Sequence, residues 1–311
     1  MTIHHIDQYV VIGNPINHSK SPSIHSAFAY QTGQALDYKT MLVSTDEGEF
    51  AKAVQLFQQS GGKGLNITVP FKQHAWEIAQ QRTSRAEHAG ALNTLWFDEQ
   101  GVIHGDNTDG VGLVRDLTAN YQIALKDKKV LIMGAGGAVR GVLEPILAEN
   151  PASCTIVNRT VSKAQALADL FQQQGNINAI GYDELQGEYD VIINGTSASL
   201  QSQLPPLPET GLILDNTVCY DMMYGATDTL FIQWAKQHGV PKTIDGLGML
   251  VEQAAESFYL WRNVRPETAS VIQKLRMDLL NENRPTEIGG PKGLEPTRYG
   301  DWERKGRCVD F

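Results

Sequence analysis

The stretch "VLIMGAGGAVRG", Val130 to Gly141, decides how this chain is read. Four apolar residues run into Gly134, Gly136 and Gly137, and a helical pattern follows. Glycines between a strand and a helix let the backbone approach a pyrophosphate, and the helix N-terminus offers it free N–H groups. The third fingerprint position is Val139 rather than glycine, so the motif is GxGGxV. An ordinary tight βα turn would use the same glycines. The strand before, the helix after and a further strand at the right distance favour dinucleotide binding.

That further strand, "SCTIVNRT", ends in Asn158, Arg159 and Thr160, with Lys163 one turn on. An acid here would suit the ribose hydroxyls of NAD and repel a 2′-phosphate. Arg159 can instead fork onto that phosphate, which favours NADP. The competing reading is a solvated basic face. "YDVIINGT" and "GLILDNTVCY" add two buried-looking strands; helices follow in "LVEQAAESFYLWRN" and from Pro266.

Upstream, strand and helix alternate again. "YVVIGNP" reads as a strand, "SPSIHSAFAYQTG" as a helix with Ser21 as N-cap and Pro22 at its first position. "YKTMLV" and "GLNITVP" are strands, "EGEFAKAVQLFQQSG" and "KQHAWEIAQQ" helices. In "GLNITVPFK", Leu65, Ile67, Val69 and Phe71 point to a core, Asn66 and Thr68 point away, and Pro70 ends the strand. The alternation predicts an α/β fold with a mostly parallel sheet. The domains expected are an N-terminal α/β substrate domain over 1–110 and a Rossmann-type NADP-binding domain over 111–246, with a cleft between them. Helices over 247–280 pack back on the first, and 281–311 form a largely irregular tail, disordered or loosely docked.

Composition sets the outer limits. The 311 residues suffice for two cores, and a net charge of −9 without a basic run argues against a nucleic-acid binder. Cys154, Cys219 and Cys308 form no CxxC pair, which fits a reducing compartment. The sequence shows no signal-peptide pattern and no apolar run long enough to span a bilayer. The expectation is a cytoplasmic protein without membrane partners.

Polar side chains gather at the expected strand ends: Ser19 and Ser21, Asn66, Thr68 and Lys72, Asn93, Asn107 and Asp109. Ligands of open α/β sheets bind there. Hydroxyls, carboxamides, one lysine and one aspartate suit a polyhydroxylated small molecule; no metal site is expected, and His18 and His25 are not read as ligands. Each residue also has a plainer reading. Ser21 or Asp109 can cap a helix, Asn93 can satisfy a turn, and Lys72 can lie on the surface. A cation at a helix N-terminus is mildly unfavourable, however, which points to a reason for Lys72 beyond structure.

Taken together, "GNPINHSKSPSIH", "GLNITVPFK", "GALNTL", "GDNTDG", "GAGGA", "VNRT", "NGTS" and "DGLGMLVEQAA" resemble the shikimate dehydrogenase family in order and spacing, from about Tyr9 to about Leu280. The resemblance implies NADP-dependent reduction of 3-dehydroshikimate to shikimate, a step of aromatic amino acid biosynthesis. It implies that Lys72 and Asp109 form the catalytic pair, that Ser19 and Ser21 bind the substrate carboxylate, and that Asn66, Thr68, Asn93 and Gln253 hold ring hydroxyls. It places Gly134, Gly136, Gly137 and Ala138 at the pyrophosphate and Asn158, Arg159, Thr160 and Lys163 at the 2′-phosphate. Tyr220, Gly246 and Met249 are implied near nicotinamide and substrate. Lys163 stands where many relatives carry arginine, and "YDMMYGATDTLF" lacks the family's Tyr-x-Pro-x-x-Thr-Pro pattern. A quinate/shikimate dehydrogenase using NAD is the alternative, and a homodimer is an open expectation.

The tail differs. From Asn281 onward three Pro and five Gly interrupt any period. "EIGGPKGLEPTRYGDWERKGRCVDF" resembles the C-terminal motif of the succinate dehydrogenase assembly factor four family. That resemblance implies binding to the flavoprotein subunit of succinate dehydrogenase, and in the other class of reading the α/β body is only its carrier. Tyr299, Trp302 and Phe311 are aromatics that fit a segment ordering on a partner.

Overall fold

Two six-stranded sheets carry the chain. The computed structural model describes residues 6–196, 203–208 and 210–282, with the backbone of 302–303 and 308–309. In chain order the first part comprises β1 (Asp7–Gly13), α1 (Ser21–Thr32), β2 (Leu36–Leu42), α2 (Glu49–Gln59), β3 (Gly64–Ile67) and α3 (Lys72–Ile78). It continues with β4 (Gln81–Arg82), α4 (Ser84–Ala89), β5 (Thr94–Phe97), β6 (Ile103–Asp106) and α5 (Asp109–Arg115), which runs into a π-helical turn over Asp116–Asn120.

The second part comprises β7 (Lys129–Met133), α6 (Gly137–Ala148), β8 (Ser153–Val157), α7 (Val161–Phe171), β9 (Ile177–Ile180), β10 (Tyr189–Asn194) and β11 (Ile213–Asp221). Then come α8 (Leu230–Gln237), β12 (Lys242–Asp245), α9 (Leu247–Arg262) and α10 (Ala269–Glu282). In the tail, β13 (Trp302–Glu303) pairs antiparallel with β14 (Cys308–Val309). Tyr299, Phe311 and most of the tail lie outside the described residues.

The second sheet is parallel throughout, in the order β12-β11-β10-β7-β8-β9. Its strands are apolar on both faces because both faces are covered. Val130 and Ile132 of β7 enter one core with α5, α6 and α7, while Leu131 and Met133 enter another with α8. The order in which strands are added reverses between β7 and β10, which opens a crevice beyond their C-terminal ends. Gly134 follows β7 there with φ +104°, and a Cβ would stand 3.2 Å from the Gly195 carbonyl oxygen after β10. Glycine is required on both counts.

The first sheet has the order β2-β1-β3-β5-β6-β4 and is mostly parallel, with β5 alone reversed. The hairpin β5–β6, whose β5 runs antiparallel to β3, is absent from the sequence reading. Its four-residue strands are too short to show a period, and the turn is closed by Asp98, whose side chain accepts from the N–H groups of Gln100 and Val102. Two further readings are corrected. β3 ends at Ile67, where its pairing with β1 stops, so Val69 lies in the following turn and is 63% exposed. Leu65, Ile67 and Phe71 do enter the core. Helix α1 is capped by Lys20, with Ser21 as its first residue and no side-chain cap.

α9 ties the parts together. It packs with α1 and α10 around Ile24, Phe28, Val251, Phe258 and Val271. It also crosses α5 so closely that a Cβ on Gly112 would lie 2.7 Å from the Gln253 nitrogen and 2.8 Å from the Met249 oxygen.

Candidate active site

A cavity of about 370 Å³ opens between the ends of β1 and β3, the start of α1, and α9. Ser19, Ser21, Asn66, Thr68, Lys72, Asn93, Asp109 and Gln253 all line it, as do Gly246 and Met249. The sequence-predicted residues of the first part therefore converge on one site.

Lys72 and Asp109 are the first residues of α3 and α5. Lys72 Nζ donates to Asp109 Oδ2 at 2.5 Å, and the side chains keep 31% and 16% of their exposure. Asp109 is thus not spent on capping its helix; Thr108 holds that position. Asn93 Nδ2 donates to Asp109 Oδ1 at 2.8 Å, to Thr108 Oγ1 at 2.9 Å and to Gln253 Oε1 at 3.1 Å. Asn93 Oδ1 accepts from the Thr108 N–H at 2.9 Å. One buried carboxamide therefore fixes the aspartate, the start of α5 and a residue of α9. Such a pair can deliver a proton from Lys72 to an oxygen in the cavity while Asp109 orients the ammonium.

Asn66 is 6% exposed and fully engaged: Tyr38 donates to its Oδ1, and its Nδ2 faces Asn93, Thr94 and Ser257. His18, Lys20, Met222, Tyr224 and Leu250 also line the cavity, although none was assigned a ligand role from sequence. His25 is wholly buried among aromatic rings; burial lowers its pKa to about 3, so it stays neutral.

Tyr220 is the one predicted substrate residue that stands elsewhere. It is fully buried near the C-terminal end of β11, beside Ile193 and Ile244, in the core under α5. Its hydroxyl donates to Asp116 Oδ2 at 2.8 Å. Burial raises the pKa of both groups, and the nearby Asp245 carboxylate adds to each shift. Met222 and Tyr224, just beyond the strand, reach the cavity instead.

The glycine turn fits a phosphate group. Gly136 caps α6 without a side-chain hydrogen bond, Gly136 to Ala138 are exposed, and Cβ atoms on Gly136 or Gly137 would meet nothing within 4 Å. Arg159, Thr160 and Lys163 are exposed where β8 passes into α7, and Asn158 Nδ2 donates to the Thr160 carbonyl at 2.9 Å. Among the described residues neither Arg159 nor Lys163 is paired with a carboxylate, so both charges are available to an anion. No three His, Cys, Asp or Glu side chains among the described residues are grouped to hold a metal ion. No helix among them is long and apolar enough to cross a membrane.

A doubly wound sheet with an open glycine turn, beside a Lys–Asp cavity, defines a dinucleotide-dependent oxidoreductase. The chain is 58% identical to the shikimate dehydrogenase (NADP(+)) of Alkalilimnicola ehrlichii over 270 residues, 87% of this chain and 98% of that one. It belongs to the shikimate dehydrogenase (NADP(+)) family. Family profiles agree: a shikimate dehydrogenase substrate binding domain matches residues 11–95, shikimate / quinate 5-dehydrogenase 116–202, and a shikimate 5'-dehydrogenase C-terminal domain 246–276.

Among solved structures, an Ael1 enzyme from Pseudomonas putida superposes with a TM-score of 0.81 at 45% identity, over 86% of this chain and 98% of that one. Shikimate 5-dehydrogenase from Thermus thermophilus, in complex with NADP(H) and shikimate, superposes with a TM-score of 0.77 at 28% identity, over 88% and 100%. A separate profile, described as a protein of unknown function (DUF1674), matches residues 265–311 and overlaps the C-terminal domain match over 265–276.

Replacing Tyr220 with Phe separates its two readings. The loss of the donor to buried Asp116 should cost about 1–3 kcal/mol of stability in chemical denaturation, with the KM for shikimate within about twofold of wild type. A KM raised many-fold at unchanged stability would return Tyr220 to the substrate site.

Proposed function

We propose that the chain catalyses the reversible NADP-dependent reduction of 3-dehydroshikimate to shikimate, in the cytoplasm, as a step of aromatic amino acid biosynthesis. The observation that carries the reading is the 2.5 Å contact between Lys72 and Asp109 inside a cavity lined by hydroxyls and carboxamides. The names of the relatives and the ligands of the Thermus thermophilus structure support it.

Bound NADPH supplies the hydride. The rest of the chemistry falls to the chain. Lys72 hydrogen-bonds the ketone oxygen, stabilises negative charge as it develops there and gives it a proton. Asp109, anchored by Asn93, keeps the ammonium aimed and lies near the same oxygen when the reaction runs backwards. Ser19 and Ser21 receive the carboxylate at the start of α1, and Asn66, Thr68, Asn93 and Gln253 receive the ring hydroxyls. Gly134, Gly136, Gly137 and Ala138 hold the pyrophosphate, Asn158, Arg159, Thr160 and Lys163 the 2′-phosphate, and Gly246 and Met249 adjoin the nicotinamide. In this division residues 1–110 bind substrate, 111–246 bind cofactor, and the helices of 247–280 close over the substrate side.

The tail carries a second reading. We infer that 281–311 is a binding segment for the flavoprotein subunit of succinate dehydrogenase. Its motif resemblance is what supports this; the profile of unknown function over residues 265–311 marks the segment as a recurring unit without naming a partner.

Three measurements test these assignments. Lys72→Ala should lower kcat on the order of 10² or more with little change in shikimate KM; an unchanged kcat would remove Lys72 from proton transfer. Arg159→Ala should raise the KM for NADPH about tenfold or more while leaving that for NADH near its starting value. Equal effects on the two cofactors would count against the 2′-phosphate assignment and favour the NAD alternative. In a pull-down, the full chain should retain the flavoprotein and a chain truncated after Glu282 should lose it; retention by both would clear the tail of that role.

A further inference from the structure

Asn66 can hold a ligand hydroxyl only if its carboxamide faces the right way. A carboxamide turned by a half-rotation exchanges a two-proton donor for an acceptor, so its orientation decides what it recognises. The surrounding groups fix that orientation from both ends. On one side Nδ2 lies 3.2 Å from the Asn93 carbonyl oxygen, which can only accept. Thr94 Oγ1 at 3.2 Å and Ser257 Oγ at 3.0 Å also accept from Nδ2. The two hydroxyls lie 2.7 Å apart, so one donates to the other; the Asn93 carbonyl, which has no proton to give, is what fixes the Nδ2 end.

On the other side a phenol donates to Oδ1. Tyr38 Oη approaches it at 2.6 Å. Tyr38 belongs to β2, two strands from Asn66, is 5% exposed and does not line the cavity. Its ring lies flat on that of His25, with centroids 4.3 Å apart and planes 6° apart, and Trp261 closes the cluster at 6.3 Å. The neutral His25 imidazole, whose nitrogens make no hydrogen bond of normal geometry, gives Tyr38 a flat packing surface. Burial also raises the Tyr38 pKa well above the ordinary phenol range, which keeps its proton in place.

We propose that Tyr38 is a positioning residue: it aims the Asn66 carboxamide, and through Asn66 it sets how tightly the site holds a ring hydroxyl. The fixed donations run from Tyr38 to Asn66 and from Asn66 to the Asn93 carbonyl, with Ser257 of α9 beside the same Nδ2. Removing the phenolic hydroxyl takes the donor from Oδ1 and lets the carboxamide rock about its side-chain torsions. The ring stack on His25 remains. The inference rests on the reading that Asn66 meets a ring hydroxyl of shikimate.

The test is a double-mutant cycle with the full chain, following NADP⁺ reduction by shikimate in wild type, Tyr38→Phe, Asn66→Ala and the double variant. Tyr38→Phe should raise shikimate KM roughly tenfold, with kcat within about twofold and the KM for NADP⁺ unchanged. In the Asn66→Ala background the same change should add less than about twofold, since its route to the ligand is gone. Equal effects in both backgrounds, or no effect in either, would overturn the positioning role while leaving Asn66 in the site. An Asn66→Ala chain with wild-type shikimate KM would overturn the assignment of Asn66 itself, and the inference with it. Thermal midpoints run in parallel distinguish these results from partial unfolding, because a general loss of structure lowers kcat and raises both KM values together.

Discussion

The contact between Lys72 and Asp109 depends on where two helices begin. They are 37 residues apart in sequence and each opens a helix, α3 after β3 and α5 after β6. β5 runs antiparallel to both β3 and β6, so those two strands point the same way and end on the same edge of the sheet. The hairpin therefore brings the two helix starts together. The dipoles treat the partners differently: a carboxylate at the start of α5 is favoured, an ammonium at the start of α3 is not. Asp109 offsets the second effect for Lys72, and neither residue would sit as well without the other.

The same short helix binds the rest of the site to the second sheet. Asp109 opens α5 in the cavity, Gly112 lets α9 lie against it, and Asp116 follows its end to meet Tyr220 in β11. A buried carboxyl without donors would be costly, and Tyr220 and Asn120 both donate to this one. Glu252 of α9 is likewise buried and accepts from Arg115, Asn120 and Thr268. These bonds are directional, so they set the position of α9, and with it Met249 and Gln253, relative to Asp109.

Much of this was legible in the sequence because the physics is local. A run such as "KVLIM" must be covered on both faces, and the glycines after it mark a turn where backbone comes close to something. Strand ends rich in Asn, Ser and Thr signalled the cavity for the same reason. What escaped depends on pairing over distance. The β5–β6 hairpin has strands of four residues, too short for a period to show. Val69 continues the alternation on paper, but strand pairing stops at Ile67. Tyr220 sits among polar and apolar neighbours alike, and only the register with Ile193 and Ile244 shows it turned toward Asp116. Tyr38 gave no signal at all, since its value lies in a hydrogen bond to a residue 28 positions away.

On the proposed assignments the two ligand sites rest on different physics. At the substrate end Asn66 and Asn93 are buried and their hydrogen bonds are already directed, so recognition there is a matter of fixed geometry in a low-dielectric cavity. The cost of ordering those dipoles is met during folding, before any ligand arrives, which favours a ligand that fits over one that must induce the fit. At the cofactor end Gly136, Gly137, Arg159 and Lys163 are exposed. Discrimination for a 2′-phosphate there relies on charges that water and salt screen. Substrate choice is thus built into the packing of the first sheet and α9, while cofactor choice rests on a few surface side chains at the end of β8. The second can drift by single substitutions without disturbing the fold; the first cannot, because each of its polar groups also holds two elements together.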